Sequence, residues 1–104
     1  MSWVAVDDTG AAHGAVALGP SDVADRPELV PCVWGMVVRP DARRRGVGAM
    51  LLHHLEQLAV EQGHTAVRVS TGPPAVGFYE RCGWRRTEEM PGTTLLRKAI
   101  GPDA

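Results

Sequence analysis

The chain has 104 residues and a formal net charge of −1, from 11 Lys and Arg against 12 Asp and Glu. That length favours a single domain, and a pI near 6.4 excludes the generally basic surface of a nucleic-acid-coating protein. A composition of 44% hydrophobic and 22% charged residues is that of a globular chain, and no apolar run is long enough to cross a bilayer.

The N-terminus, Met1 to Asp8, has neither the basic flank nor the apolar core of an export signal, so a cytoplasmic protein is expected. Trp3 to Val6 and His13 to Leu18 read as strands. Asp7 to Gly10 between them carries hairpin turn chemistry. Residues 19 to 31 hold three prolines, three acids and little periodicity, and read as a surface loop. Val33 to Val38 is apolar on both faces, as a central strand is. Pro40 ends it, because proline has no N–H to give to a ladder, and Asp41 and Ala42 make a turn.

A helix is expected from about Val47 to Gln62. Val47, Met50, Leu51, Leu55, Leu58 and Ala59 recur at three- and four-residue steps and predict its buried face. Gly63 closes it. Ala66 to Ser70 is another strand, and Thr71 to Pro74 a loop. A short helix follows from Ala75 to Arg81 or Cys82, ended by Gly83. Trp84 to Thr87 and Thr93 to Lys98 make a final strand pair. The order predicts an α+β domain with α/β-type layers: a mixed sheet with helices on its faces, and parallel strands before and after a right-handed crossover through the long helix.

The junction between the central strand and the long helix carries the first chemical signal. Arg43, Arg44 and Arg45 lead into Gly46-Val47-Gly48 at a helix N-terminus. The first amides of a helix have no internal acceptor, and the macrodipole places partial positive charge there. Glycine lets a ligand approach the backbone, and guanidinium groups add forked donors suited to phosphate. A diphosphate is the expected occupant. A P-loop is excluded because no lysine follows Gly48, and a dinucleotide fingerprint because Leu51 stands where its third glycine belongs.

The second signal is Gly77-Phe78-Tyr79-Glu80-Arg81-Cys82-Gly83-Trp84. Tyr79 follows the second parallel strand, whose carboxyl end faces the same side as the basic turn. From the residues alone Tyr79 is either a packing residue or an acid at the reacting end of a ligand. His53 and His54, adjacent on the long helix, read as surface or packing residues. Cys32 and Cys82 lack metal-ligand spacing and read as free thiols, and no metal is expected. Arg85 and Arg86 read as a solvated strand end.

Together the two stretches resemble the GNAT superfamily of acyl-CoA-dependent N-acetyltransferases. Arg43-Arg44-Arg45-Gly46-Val47-Gly48 matches the family's pyrophosphate signature. Met36-Val37-Val38-Arg39-Pro40 matches the strand before it, and Phe78-Tyr79-Glu80-Arg81-Cys82-Gly83-Trp84 the aromatic-Tyr run. The resemblance spans roughly Trp3 to Lys98 and implies a mostly antiparallel sheet with a central parallel pair. It implies acetyl-CoA as co-substrate and direct acetyl transfer to a primary amine. Met36, Val37 and Val38 would hold the pantetheine as an added strand, with a strand N–H polarising the thioester carbonyl. Arg43, Arg44, Arg45, Gly46, Val47, Gly48 and Ala49 would hold the diphosphate, and Tyr79 would protonate the departing thiolate.

The sequence departs from the family pattern in places. Gly72 stands where many members carry an Asn, and Cys32 near where some place a catalytic Glu. Glu28, Asp25, His13 and Glu88 stay open as candidates for the base. The chain starts at what resembles the family's second strand, so a minimal member, or one completed by a partner chain, is expected. A homodimer would cover the sheet edge that such shortening leaves. The expected acceptor is a small-molecule or peptide amine, not nucleic acid or membrane. A non-catalytic acyl-CoA-binding module is the alternative, and a phosphate-binding interaction domain a further one.

Overall fold

A computed structural model describes residues 2–6, 12–19, 31–39 and 46–101; within these, residues 2–6, 12 and 34–36 are described by backbone alone. The elements are β1 (Ser2–Val6), β2 (Ala12–Gly19), β3 (Cys32–Val38), α1 (Val47–Glu61), β4 (Ala66–Thr71), α2 (Pro73–Arg81), β5 (Arg85–Met90) and β6 (Thr93–Ala99). The expected turn at Asp7–Gly10, most of the expected loop before β3, Pro40 to Arg45 and the last three residues lie outside the described residues.

The strands form one sheet in the order β1-β2-β3-β4-β6-β5. Every neighbouring pair is antiparallel except β3 and β4, which run parallel across α1. The expected mixed sheet with one central parallel pair is therefore present. β2 and β3 approach closely at Gly14, opposite Val38. A Cβ there would lie 2.6 Å from the Val37 carbonyl oxygen, so only glycine fits.

Both helices pack on the same face of the sheet. α1 lies against β1 to β4, and α2 against β5 and β6. Val16, Leu18, Val33, Val67, Val69 and Leu96 meet Leu51, Leu52, Leu55 and Ala59 of α1 and Val76 and Tyr79 of α2 in one core. Lys98 ties the two helices together: its Nζ lies 2.8 Å from Glu56 Oε1 on α1 and donates to the Cys82 carbonyl at 2.8 Å, just past α2.

The buried stripe of α1 is rotated from the predicted one. Leu51, Leu52, Leu55, Glu56 and Ala59 are buried, whereas Met50 is 43% exposed and Val47 and Leu58 are half-buried. The Glu56–Lys98 pair explains the shift, because it allows a carboxylate at a position that apolar periodicity would assign to solvent. α2 begins at Pro73 rather than Ala75, with Gly72 as its N-cap and proline in its first turn. β5 runs on to Met90, past the expected end at Thr87. His53 and His54 are both exposed.

Candidate functional site

The parallel pair is where the sheet opens. β3 and β4 share a single register position, Cys32 opposite Arg68, beside a bond from the Arg68 N–H to the Pro31 carbonyl. Beyond it the strands diverge. The antiparallel pair β4–β6, by comparison, keeps register from Ala66 opposite Ala99 to Thr71 opposite Thr94. Among the described residues, β3 keeps no register with β4 at Met36, Val37 or Val38, and Val37 is 60% exposed.

β3 is also bulged at this point. Trp34 pairs with Ala17 and Val37 with Ala15, so Gly35 and Met36 together face Val16. Two residues against one define a bulge, which breaks the ladder and re-aims backbone groups. Gly35, a glycine inside an apolar strand, was the signal for it in the sequence.

β3 ends against the start of α1. Gly46 is the N-cap at φ 78°, a left-handed conformation that favours glycine, and it is exposed. The first helical bond runs from the Met50 N–H to the Gly46 carbonyl at 3.0 Å, so the amides of Val47, Gly48 and Ala49 precede the helical ladder. Among the described residues no side chain caps them, and no acid lies in the first turn. An anion meets partial positive charge there, with no acid in the helix's own first turn to oppose it. Arg43, Arg44 and Arg45 lie outside the described residues.

The two sequence signals meet in space. A Cβ at Gly48 would stand 3.0 Å from the Phe78 ring of α2 and 3.6 Å from Val38 Cγ2. Phe78, Tyr79 and Trp84 then form an edge-to-face series with successive centroids 5.3 Å apart. Tyr79 is only 3% exposed and belongs to the core. Burial pushes its phenol up to about 12, with the Cys32 and Cys82 thiols adding to the shift. Both cysteines are free thiols, and burial raises that of Cys82 as well.

Arg86, on the helix face, is held by Glu80 of α2 at 3.2 Å and Glu89 at 3.0 Å. Those ion pairs employ it away from the α1 N-terminus. A cavity of about 300 Å³ lies between α2 and the β5–β6 hairpin, lined by Pro73, Val76, Arg86 and Met90 among others, and none of the predicted site residues borders it. Among the described residues no cluster of His, Cys, Asp or Glu could hold a metal ion. No described helix is long and apolar enough to cross a membrane.

The model of the GNAT acetyltransferase domain matches residues 1–86. The chain belongs to the GNAT acetyltransferase family. Solved structures share its fold. A Klebsiella pneumoniae protein assigned as an acyl-CoA N-acyltransferase superimposes with TM-score 0.82 at 21% identity, over 96% of this chain and 72% of its own. A GNAT family N-acetyltransferase from Escherichia coli, in complex with CoA, gives 0.75 at 26% identity, over 98% of this chain and 59% of its own. An aminoglycoside 6′-N-acetyltransferase complexed with coenzyme A gives 0.79 at 17% identity, over 97% and 73%. The GNAT chain described here thus spans less than two thirds of the Escherichia coli protein's length.

Proposed function

We propose that the chain binds acetyl-CoA in the opening between β3 and β4 and transfers its acetyl group to a primary amine of a small molecule or peptide. The observation that carries this reading is the divergence of β3 from β4 after the Cys32–Arg68 pair, next to a helix N-terminus whose N-cap, Gly46, makes no side-chain bond to its amides. The residues fit the ligand: Gly46 puts no side chain before the first-turn amides, Gly48 lets Phe78 pack against the start of the helix, and β3 keeps no register with β4 beyond Cys32. CoA in the Escherichia coli relative supports the same reading.

In this reading the amides of Val47, Gly48 and Ala49, with Arg43, Arg44 and Arg45, hold the diphosphate. Met36, Val37 and Val38 hold the pantetheine through backbone hydrogen bonds. A β3 N–H donates to the thioester oxygen as negative charge develops there. A neutral amine attacks the carbonyl carbon, the C–S bond breaks and the amine gives its proton to water. Complete transfer from a phenol near 12 to a thiolate near 8.5 is uphill by about 3.5 pH units, or about 5 kcal/mol. The role of Tyr79 is therefore to donate a hydrogen bond to the departing thiolate. The reaction belongs in the cytoplasm, where Cys32 and Cys82 stay reduced, and a homodimer covers the exposed sheet edge.

Calorimetry with acetyl-CoA, followed by thiol release over a panel of amines, tests this reading. Tyr79→Phe should lower kcat about ten- to a hundredfold while the Kd for acetyl-CoA stays within twofold. Unchanged kcat would remove Tyr79 from the reaction. The deep burial of Tyr79 favours one second reading, a non-catalytic acyl-CoA-binding module in which the phenol only packs. Tight acetyl-CoA binding with no thiol release on any amine would select it.

A further inference from the structure

The cavity between α2 and the β5–β6 hairpin takes no part in the cofactor reading, and its lining has a chemistry of its own. Its volume of about 300 Å³ stands at the small end of the range that ligand pockets occupy. Its apolar walls are Val76 of α2, only 5% exposed, Pro73 from the start of that helix and Met90 from the end of β5. Its polar lining includes Arg86, Glu89 and Thr94.

Thr94 is 8% exposed, yet its hydroxyl has no hydrogen-bond partner among the described residues. Buried hydroxyls are costly to leave so, and this one lines a cavity. Glu89 stands directly opposite Thr94 in the β5–β6 ladder, so the two side chains leave the sheet on the same face. That is the helix face, because Leu96, two residues beyond Thr94, enters the core against α1 and α2. Glu89 meets Arg86 through Oε1 at 3.0 Å, and through no other atom among the described residues. Its Oε2 and the Thr94 hydroxyl are therefore two acceptors on paired residues, whose Cβ atoms stand about 5 Å apart. One ammonium, with N–H···O distances of about 2.9 Å, can bridge oxygens at that spacing.

Local charge selects the sign of the ligand. Glu80 holds Arg86 through both its oxygens, to Nε and Nη2, each at 3.2 Å. One guanidinium against the two carboxylates of Glu80 and Glu89 leaves −1 on the group. A carboxylate or phosphate would be repelled by Glu89, whereas an ammonium is drawn to it. We infer that this cavity binds a primary ammonium group on a short apolar stem. The ammonium donates to Glu89 Oε2 and Thr94 Oγ1, and the stem lies on Val76, Pro73 and Met90. The site belongs to α2 and the hairpin, apart from the opening between β3 and β4, and nothing in it depends on coenzyme A in that opening.

The test titrates the protein, without CoA, with n-butylammonium, n-butanol and butyrate, and follows amide chemical shifts by NMR. The ammonium should shift the amides of Val76, Glu89, Met90 and Thr94 and bind at least about tenfold more tightly than either analogue. Butyltrimethylammonium keeps the charge but has no N–H to donate, and should bind at least about fivefold more weakly than n-butylammonium. Glu89→Gln should weaken the ammonium about tenfold, and added salt should weaken it in the wild type. Thr94→Val, which keeps the shape and loses the hydroxyl, should weaken it about fivefold, while Thr94→Ser should stay within twofold of wild type. A simple surface ion pair would respond to Glu89→Gln and not to Thr94→Val, and that result would overturn the inference. So would equal binding of butyrate or butyltrimethylammonium, shifts confined to residues 34–38, or unchanged affinity in Glu89→Gln. Should Thr94→Val fail to fold, the butyltrimethylammonium comparison and Glu89→Gln decide the matter on the wild-type threonine.

Discussion

At the scale of single residues, Tyr79 shows how far the sequence carries. Its spacing from Gly46 and Gly48 was legible because the glycine turn and the aromatic run each have a recognisable residue pattern. Its burial was not, since that depends on Phe78 and Trp84 closing around it from α2 and from the approach to β5. The burial has a measurable consequence. The folded phenol near 12 lies above the unfolded value near 10. Below pH 10 both states keep the proton and the stabilisation is fully present. As pH rises from 10 toward 12 the unfolded chain loses its proton first, so stability falls by up to about 2 kcal/mol. Denaturant unfolding at pH 8 to 11.5 should show this decline, and Tyr79→Phe, which keeps the ring, should flatten it. An identical alkaline slope in the variant would mean that another group sets it.

At the scale of elements, the pattern of strands and helices was readable because each signal is local: glycine after α1, proline at the start of α2, apolar runs for β3 and β4. What escaped local reading depends on partners. Periodicity placed Met50 in the buried stripe and left out Leu52 and Glu56, because nothing near Glu56 in the chain announces Lys98. That pair links α1 to the end of α2, with the Glu56 side chain only 12% exposed. Lys98→Met would leave a nearly buried carboxylate without its cation and the Cys82 carbonyl without that donor. It should cost about 2 kcal/mol of stability in urea unfolding. Adding Glu56→Gln should recover part of the loss, and a double variant no better than Lys98→Met would refute the coupling.

At the scale of the whole molecule, the fold followed from the order of elements, whereas the strand order did not. Insertion of β6 between β4 and β5, and the divergence of β3 from β4, arise from long-range pairing that no short stretch encodes. Ligand binding in that divergence should leave a local signature. Hydrogen exchange with acetyl-CoA present should slow at residues 34–38 and in the first turn of α1 and leave β5 and β6 unchanged. Uniform slowing, or none, would place the ligand elsewhere. The single Cys32–Arg68 junction also makes the sheet two leaves sharing one stitch, with α1 laid across both as the binding. Small rotations of one leaf against the other would strain few backbone bonds, so under the proposed coenzyme A reading the width of the gap should adjust to the thickness of the acyl group. Tolerance for acyl chains longer than acetyl should thus depend on how stiffly α1 bridges the leaves, more than on any residue facing the gap.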